Sequence, residues 1–315
     1  MGAVLKGYLL AGTAAVLSGL ISIFGKLMVQ YPGNNPVALM SVRALLAFVT
    51  LAVGLFVFRR QELRIAWRDI PFFALFGLVG IAGCFSLYLT ALQYISVTTA
   101  IVIVYTFPAQ VAILATVFLG ERLNARKMLA LGSAILGCLL VAQAYDLVSL
   151  RGNLTGILFS FGASVSLTIY NLLGKRAVGR HGAWTMTLYG FGFGSLWMFL
   201  IATPQNILAI HLPTEGWLIL FAWALIPTVF GHVLYLTALK YIEVSAATII
   251  STLELVSAIG MACLLLGENI QGLQLLGALF VVAAVVILSR GTRMTGESSP
   301  LSPEQSDVQV AQLVS

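Results

Sequence analysis

The stretch Leu87-Tyr88-Leu89-Thr90-Ala91-Leu92-Gln93-Tyr94-Ile95 returns 147 residues later as Leu234-Tyr235-Leu236-Thr237-Ala238-Leu239-Lys240-Tyr241-Ile242, with only the seventh position changed. At the same spacing Val97 answers to Val244, Ala100 to Ala247, and Leu119-Gly120-Glu121 to Leu266-Gly267-Glu268. A match that crosses two apolar runs and the turn between them marks a duplicated unit. The early parts of the two copies agree more faintly, Gly25-Lys26 facing Gly174-Lys175.

The copies lie in a chain of 315 residues that is 60% hydrophobic and 9% charged, with a mean hydropathy of +1.00. A soluble domain carries roughly 25% charged residues, so a bilayer is the solvent that suits this composition. A span needs about 20 mostly apolar residues. Runs of that kind occupy 6–28, 36–58, 71–92, 97–120, 128–145, 154–174, 183–202, 217–239, 244–266 and 273–289. They are continuously apolar instead of alternating, which excludes strands. The expected fold is therefore an all-α integral membrane protein of roughly ten transmembrane helices. Residues 1–148 form the first repeat (helices 1–5), 149–291 the second (helices 6–10), and 292–315 a disordered cytoplasmic tail rich in Ser, Pro, Glu and Gln. Five helices is an odd number, so the second copy enters from the opposite side and the repeats are inverted. The first run is read as a retained helix and not as a cleaved signal, because it has a counterpart in the second half.

The net charge of +6 is a topology signal. Arg59, Arg60, Arg64 and Arg68 crowd one loop, Arg122, Arg126 and Lys127 a second, and Lys175, Arg176 and Arg180 a third. With both termini cytoplasmic, all three loops are cytoplasmic, together with Lys6, Lys240, Arg290 and Arg293. The other side keeps Arg151 in a loop, with Lys26 and Arg43 inside helices near that face. The charges thus mark a multi-pass membrane protein with both termini cytoplasmic and not a nucleic-acid binder. Cys84, Cys138 and Cys263 lie in apolar runs without metal-ligand spacing. No metal or cofactor is expected.

Inverted repeats place a solute site near the midplane and let one half rock against the other. A family resemblance points the same way. The Ala-Leu-x-Tyr-Ile seams (Ala91–Ile95, Ala238–Ile242), Pro108, the Leu-Gly-Glu endings at Glu121 and Glu268, and Gly132 and Gly277 resemble the drug/metabolite transporter superfamily. The match is to its EamA-type carriers with two copies of the repeat. The resemblance implies an inner-membrane carrier or exporter of metabolites, often amino-acid-like. That family usually reads Leu-Glu-Pro-Val in its ninth helix, whereas this chain has Leu253-Glu254-Leu255-Val256, so nothing is carried over about how that helix bends.

Glu254 is the one acid well inside an expected span. Intramembrane ionisable groups mark solute or proton pathways by default, and low dielectric opposes ionisation, which makes proton coupling chemically possible. Thr248, Ser251, Glu254 and Ser257 recur every third residue, a stripe suited to a cavity wall. His232, with Tyr235 one turn on, could relay protons to Glu254 or make a plain interhelical bond. Pro227 and its counterpart Gly80, with Pro108, are the hinge candidates. The sixth helix carries a polar stripe, Ser160, Ser164, Thr168, Asn171 and Lys175, facing small residues at the matching places of the first helix. The pair fits either a central lining or close packing. Lys26 and Arg43 could attract an anionic or zwitterionic solute, although snorkelling to the interface is the commoner use. Tyr88, Tyr105, Tyr170 and Trp197 could wall an apolar side chain. Glu121 and Glu268 read as helix caps or anchors, and the glycines at 77, 80, 83, 190, 192 and 194 as close helix contacts.

The reading is a secondary transporter of small metabolites such as amino acids, exporting by alternating access with possible proton coupling. Its partners are a small solute and lipid, with no nucleic acid, and the oligomeric state is left open, a monomer included. An intramembrane enzyme would need convergent catalytic groups, for which three histidines are a thin supply. A passive pore would need a sustained polar lining through both halves.

Overall fold

The computed structural model describes residues 2–31, 33–144, 153–202, 204–267 and 269–294. Glu268, Arg151 and the expected tail beyond 294 lie outside the described residues. Ten long helices follow the ten apolar runs: α1 (Ala3–Val29), α2 (Pro36–Phe58), α3 (Trp67–Ala91), α4 (Val97–Phe118), α5 (Ala125–Val141), α6 (Leu154–His181), α7 (Ala183–Ile201), α8 (Thr214–Ala238), α9 (Val244–Leu266) and α10 (Gly272–Met294). Among the described residues nine of them are long and apolar enough to cross a membrane, and α5, with 17 residues, falls just short. No strand occurs among the described residues.

The largest departure from expectation concerns α6. It runs seven residues past its apolar stretch, so Lys175, Arg176 and Arg180 are helical instead of forming a loop. The extension is held by its contacts: Arg180 reaches Asp69 at 3.1 Å, and His181 lies 3.9 Å from the same carboxylate. Beside it, Thr185 of α7 donates to Glu62 Oε2 at 2.8 Å and Tyr189 to the Leu63 carbonyl at 2.7 Å. The α2–α3 connection is thereby stitched to the α6–α7 junction.

Packing exchanges the two halves. Helix α1 lies against α8 and α9, and its counterpart α6 lies against α3 and α4; α2 packs on α7, α4 on α9 and α5 on α10. The duplicated segment is the hub of this exchange. Its two turns have the same hydrogen bonds at the same lengths: Tyr94 N to Ala91 O and Tyr241 N to Ala238 O are both 2.9 Å, and Ile95 N to Ala91 O and Ile242 N to Ala238 O both 3.1 Å. Each turn then seats against a glycine of a first-position helix. A Cβ on Gly156 of α6 would come within 2.7 Å of Ile95, and one on Gly7 of α1 within 2.6 Å of Ile242. Gly77 likewise meets the backbone of Gly190 and Gly194 where α3 crosses α7.

Four of the helices are interrupted, and the interruptions pair across the repeat. In α3 the segment Leu78–Gly83 widens to a π turn, and in α8 Ala224–Phe230 does the same around Pro227. Helix α4 breaks between Val104 and Phe107, just ahead of Pro108. Helix α9 breaks at Thr252 although it has no proline there. The Ser251 hydroxyl turns back to the Thr248 carbonyl and the Thr252 hydroxyl to Ile249, each at 2.7 Å. Such back-bonding bends a helix and does here what Pro108 does in α4.

Because Gly156 sits backbone-to-side-chain on the turn of the other half, Gly156→Val should lower stability by about 1–3 kcal/mol. Gly12→Ala, at a position where a Cβ meets nothing within 4 Å, should leave the melting temperature of the detergent-solubilised protein unchanged in the same assay.

Candidate functional site

The centre of the molecule is built where the π turns of α3 and α8 approach α6 and α2. In α8, Pro227 has no N–H for the Trp223 carbonyl one turn back. The Thr228 hydroxyl fills that place, donating to Trp223 O at 2.9 Å. The same hydroxyl accepts from Arg43 Nη1 of α2 at 3.2 Å. In α3, Gly80 leaves room for Tyr170 of α6, since a Cβ there would overlap the Tyr170 ring. Tyr170 stacks on Phe76 at 4.7 Å and stands edge-on to His232 at 6.3 Å.

Arg43 does not snorkel. It is 1% exposed, with its guanidinium 4.7 Å from the Phe85 ring and 4.9 Å from the Trp223 ring. Those two aromatic faces and the Thr228 hydroxyl hold its guanidinium inside the fold. His232 Nδ1 lies 2.8 Å from the Thr228 carbonyl, an acceptor, so Nδ1 carries the proton and Nε2 keeps its lone pair. Tyr235 donates to Asn171 Oδ1, and Asn171 in turn donates to the Leu167 carbonyl at 2.8 Å.

Glu254 opens the second half of α9 and is half-buried. Its carboxylate makes no hydrogen bond or ion pair to any described residue. It is close enough to Cys84 of α3, Tyr105 of α4 and Cys138 of α5 to act on them electrostatically, and Tyr88 is linked to both Cys84 and Tyr105 in the same way. Tyr170 is linked to Cys84. Glu254 and His232 are not bonded to each other.

The stripes read from sequence divide differently. Ser160, Ser164, Thr168 and Asn171 are all buried and belong to packing instead of an open lining. Gln110 Nε2 donates to Ser164 Oγ at 2.9 Å, Thr168 donates to Gln110 Oε1 at 3.0 Å, and Thr106 bonds Ser164 at 3.0 Å. At the equivalent place of the other half, Ser257 donates to the Ala15 carbonyl at 3.3 Å. One contact uses hydroxyls and an amide where the other uses small residues. Thr248 is buried as well, and Ser251 is spent on its own helix. Gln110, Thr106 and Thr228 carried no sequence signal strong enough to find them, since a lone Gln or Thr in an apolar run has no partner until the helices meet.

Lys26 is exposed in the last turn of α1. Lys175 caps α8, donating to the Leu239 and Ile242 carbonyls at 2.6 and 2.7 Å. Glu121, as expected of a cap, accepts from Val244 N at 2.7 Å and from the Ser245 hydroxyl at 2.5 Å, closing the start of α9 from the opposite half. Lys127 pairs with Glu243 at 2.5 Å beside it. Opposite charges therefore sit at the two helix ends that favour them. No group of three His, Cys, Asp or Glu that could hold a metal occurs among the described residues.

The sequence model of the EamA-like transporter family matches this chain twice, over residues 5–143 and 154–290. A protein of Archaeoglobus fulgidus named as an uncharacterized transporter is 27% identical over 277 residues, covering 88% of this chain and 94% of its own. The probable terminal-alkyne amino-acid exporter of Streptantibioticus cattleyicolor is 24% identical, covering 86% and 90%. The uncharacterized inner membrane transporter YicL of Salmonella typhimurium is 22% identical, covering 93% and 98%. A solved crystal structure at 14% identity superposes with a TM-score of 0.77 over 92% of this chain and 99% of that one, which shows a common fold.

Replacing Thr228 by Val keeps the shape and removes the hydroxyl that serves both Trp223 O and Arg43. The expected loss is about 1–3 kcal/mol, read as a lowered melting temperature, whereas Thr50→Val, at a hydroxyl bonded only within its own helix, should lose well under half as much.

Proposed function

Since the chain belongs to the EamA-like transporter family, within the drug/metabolite transporter superfamily, we propose that it is a secondary carrier that exports small polar metabolites, amino acids and their relatives first, by alternating access. The observation that carries this reading is the pairing of helix interruptions across the repeat, with ionisable groups collected beside them. Broken helices at equivalent places of two repeats are where transporters bind solute and bend. Gly80, Pro227 and Pro108 supply the bending points, with Thr252 as the fourth. The name of the Streptantibioticus cattleyicolor relative, an amino-acid exporter, supports both the solute class and the direction.

Within this reading Glu254 couples transport to protons. Its carboxylate has no hydrogen-bond or ion-pair partner among the described residues, so it can take up a proton when shielded from water and lose one when water reaches it. Ser251 lies one turn before it on the same helix, and Tyr88 is a further candidate for the solute. His232 offers its Nε2 lone pair, and the Tyr235–Asn171 pair ties α8 to α6 next to the moving segment. Lys26, near one mouth, attracts anionic groups from solution. The repeats divide at residues 148 and 149, and both termini face the cytoplasm of the plasma membrane. That orientation puts Arg59, Arg60, Arg64 and Arg68 on the cytoplasmic side. The family and the relatives are transporters, so the chain is read as a carrier and not as an enzyme.

Counterflow of labelled amino acids and small metabolites in proteoliposomes, at two pH values, tests the proposal. Exchange of an unaltered solute that saturates with concentration is expected, and Glu254→Gln should keep exchange while losing its dependence on pH. A solute recovered chemically changed, or a flux that never saturates, would replace the carrier by an enzyme or a pore. Unaltered pH dependence in Glu254→Gln would remove the coupling role.

A further inference from the structure

We propose that Arg43 and Trp223 form the site that recognises a carboxylate, and that the carried solute must bear one. The inference starts from two orphaned donors. Among the described residues, four buried side-chain polar atoms have no hydrogen-bond partner, and two of them are Arg43 Nε and Trp223 Nε1. These two side chains touch, the guanidinium lying 4.9 Å from the indole ring. Both atoms are N–H donors, so what the pair needs is an acceptor. Arg43 and Trp223 are 1% and 3% exposed, and buried donors left unmatched are rare in folded proteins.

Charge narrows the acceptor to an anion. Arg43 has no acid within ion-pair distance among the described residues, and its surroundings are two aromatic faces and one hydroxyl. A water molecule could accept from the two N–H groups but would leave the positive charge uncompensated in an apolar interior. The guanidinium lies over the indole face, and its unused Nε–H together with the Trp223 Nε1–H are donors that a planar two-oxygen carboxylate can take.

Depth narrows its source. The beginnings of α2 and α8 lie on one side of the protein, because Asn34 and His211, in the connections just before them, exchange hydrogen bonds of 3.4 and 2.9 Å. Arg43 is seven residues into α2 and Trp223 nine into α8, which at the α-helical rise is roughly 10–14 Å below those ends. A lipid headgroup at the surface does not reach that depth, whereas a small solute in a central passage does. Thr228 fixes the orientation of Arg43 and lies within the π turn of α8, so a carboxylate on Arg43 would bear directly on a bending point. The inference rests on the carrier reading for the route by which the solute reaches Arg43.

The test uses the purified full-length protein in nanodiscs, with the neutral L-amino acids as probes, each paired with its carboxamide, and sodium chloride as a third arm. At least one acid should change the tryptophan fluorescence saturably, through Trp223, so that Trp223→Phe loses the response. The matching amide should bind roughly tenfold or more weakly, and Arg43→Gln should weaken the acid by a similar factor. Without solute, Arg43→Met should melt at or above the wild-type temperature, because it removes an uncompensated charge. Equal binding of acid and amide, an equal response to chloride, undiminished binding in Arg43→Gln, no saturable response to any acid, or a lowered melting temperature in Arg43→Met would each overturn the proposal. An acid that binds through Arg43 yet shows no counterflow would sink the carrier reading and leave the site standing.

Discussion

A backbone in lipid has no water to fall back on, so every N–H and C=O freed from helical pairing must find a partner inside the protein. This constraint organises the structure at each place where a helix stops or breaks. Pro227 frees the Trp223 carbonyl, and the Thr228 hydroxyl takes it. The end of α8 leaves carbonyls at Leu239 and Ile242, and Lys175 takes both. The start of α9 leaves N–H groups at Val244 and Ser245, and Glu121 takes those. In each case the replacement partner also ties one element to another, so satisfying the backbone and holding the halves together are a single act.

The two seams solve the same problem with different residues. At the first, Ser96 caps α4 locally, accepting from Thr99 N at 3.1 Å. At the second, the matching residue is Glu243, which makes no cap. It pairs instead with Lys127, and the capping passes to Glu121 from the other repeat. A duplicated unit therefore keeps its geometry while the chemistry at equivalent places drifts. The same drift separates Pro108 from the Ser251-Thr252 pair, and the hydroxyl-and-amide contact of α6 with α4 from the small-residue contact of α1 with α9. What persists is where the chain must bend and where two backbones must approach.

That distinction sets how much was legible beforehand. The ten apolar runs and the repeat fix the helices, because lipid demands length and apolarity and duplication leaves identity behind. Gly80, Pro227 and Pro108, each in or beside a helix interruption, were visible beforehand as residues that can disturb a helix. The break at Thr252 was not, since Ser and Thr bend a helix only when their hydroxyls turn back to it. For Arg43 the sequence left anion attraction and snorkelling both open, because its partners Phe85 and Trp223 are 42 and 180 positions away. The stripe at Ser164 and Thr168 stayed open between lining and packing because its acceptor and donor, Gln110, gave no sign of facing it.

The sequence by itself determined that this chain lives in a membrane, crosses it about ten times and does so in two related halves. Those properties depend on composition, run length and self-similarity, which are local or statistical. Only the tertiary structure decided which polar groups meet. It set Tyr170 edge-on to His232 and Arg43 over Trp223, and it left the Glu254 carboxylate without a hydrogen-bond or ion-pair partner among the described residues. Electrostatics and hydrogen bonding act over a few ångströms in space, and helices far apart in the sequence acquire that proximity only by packing.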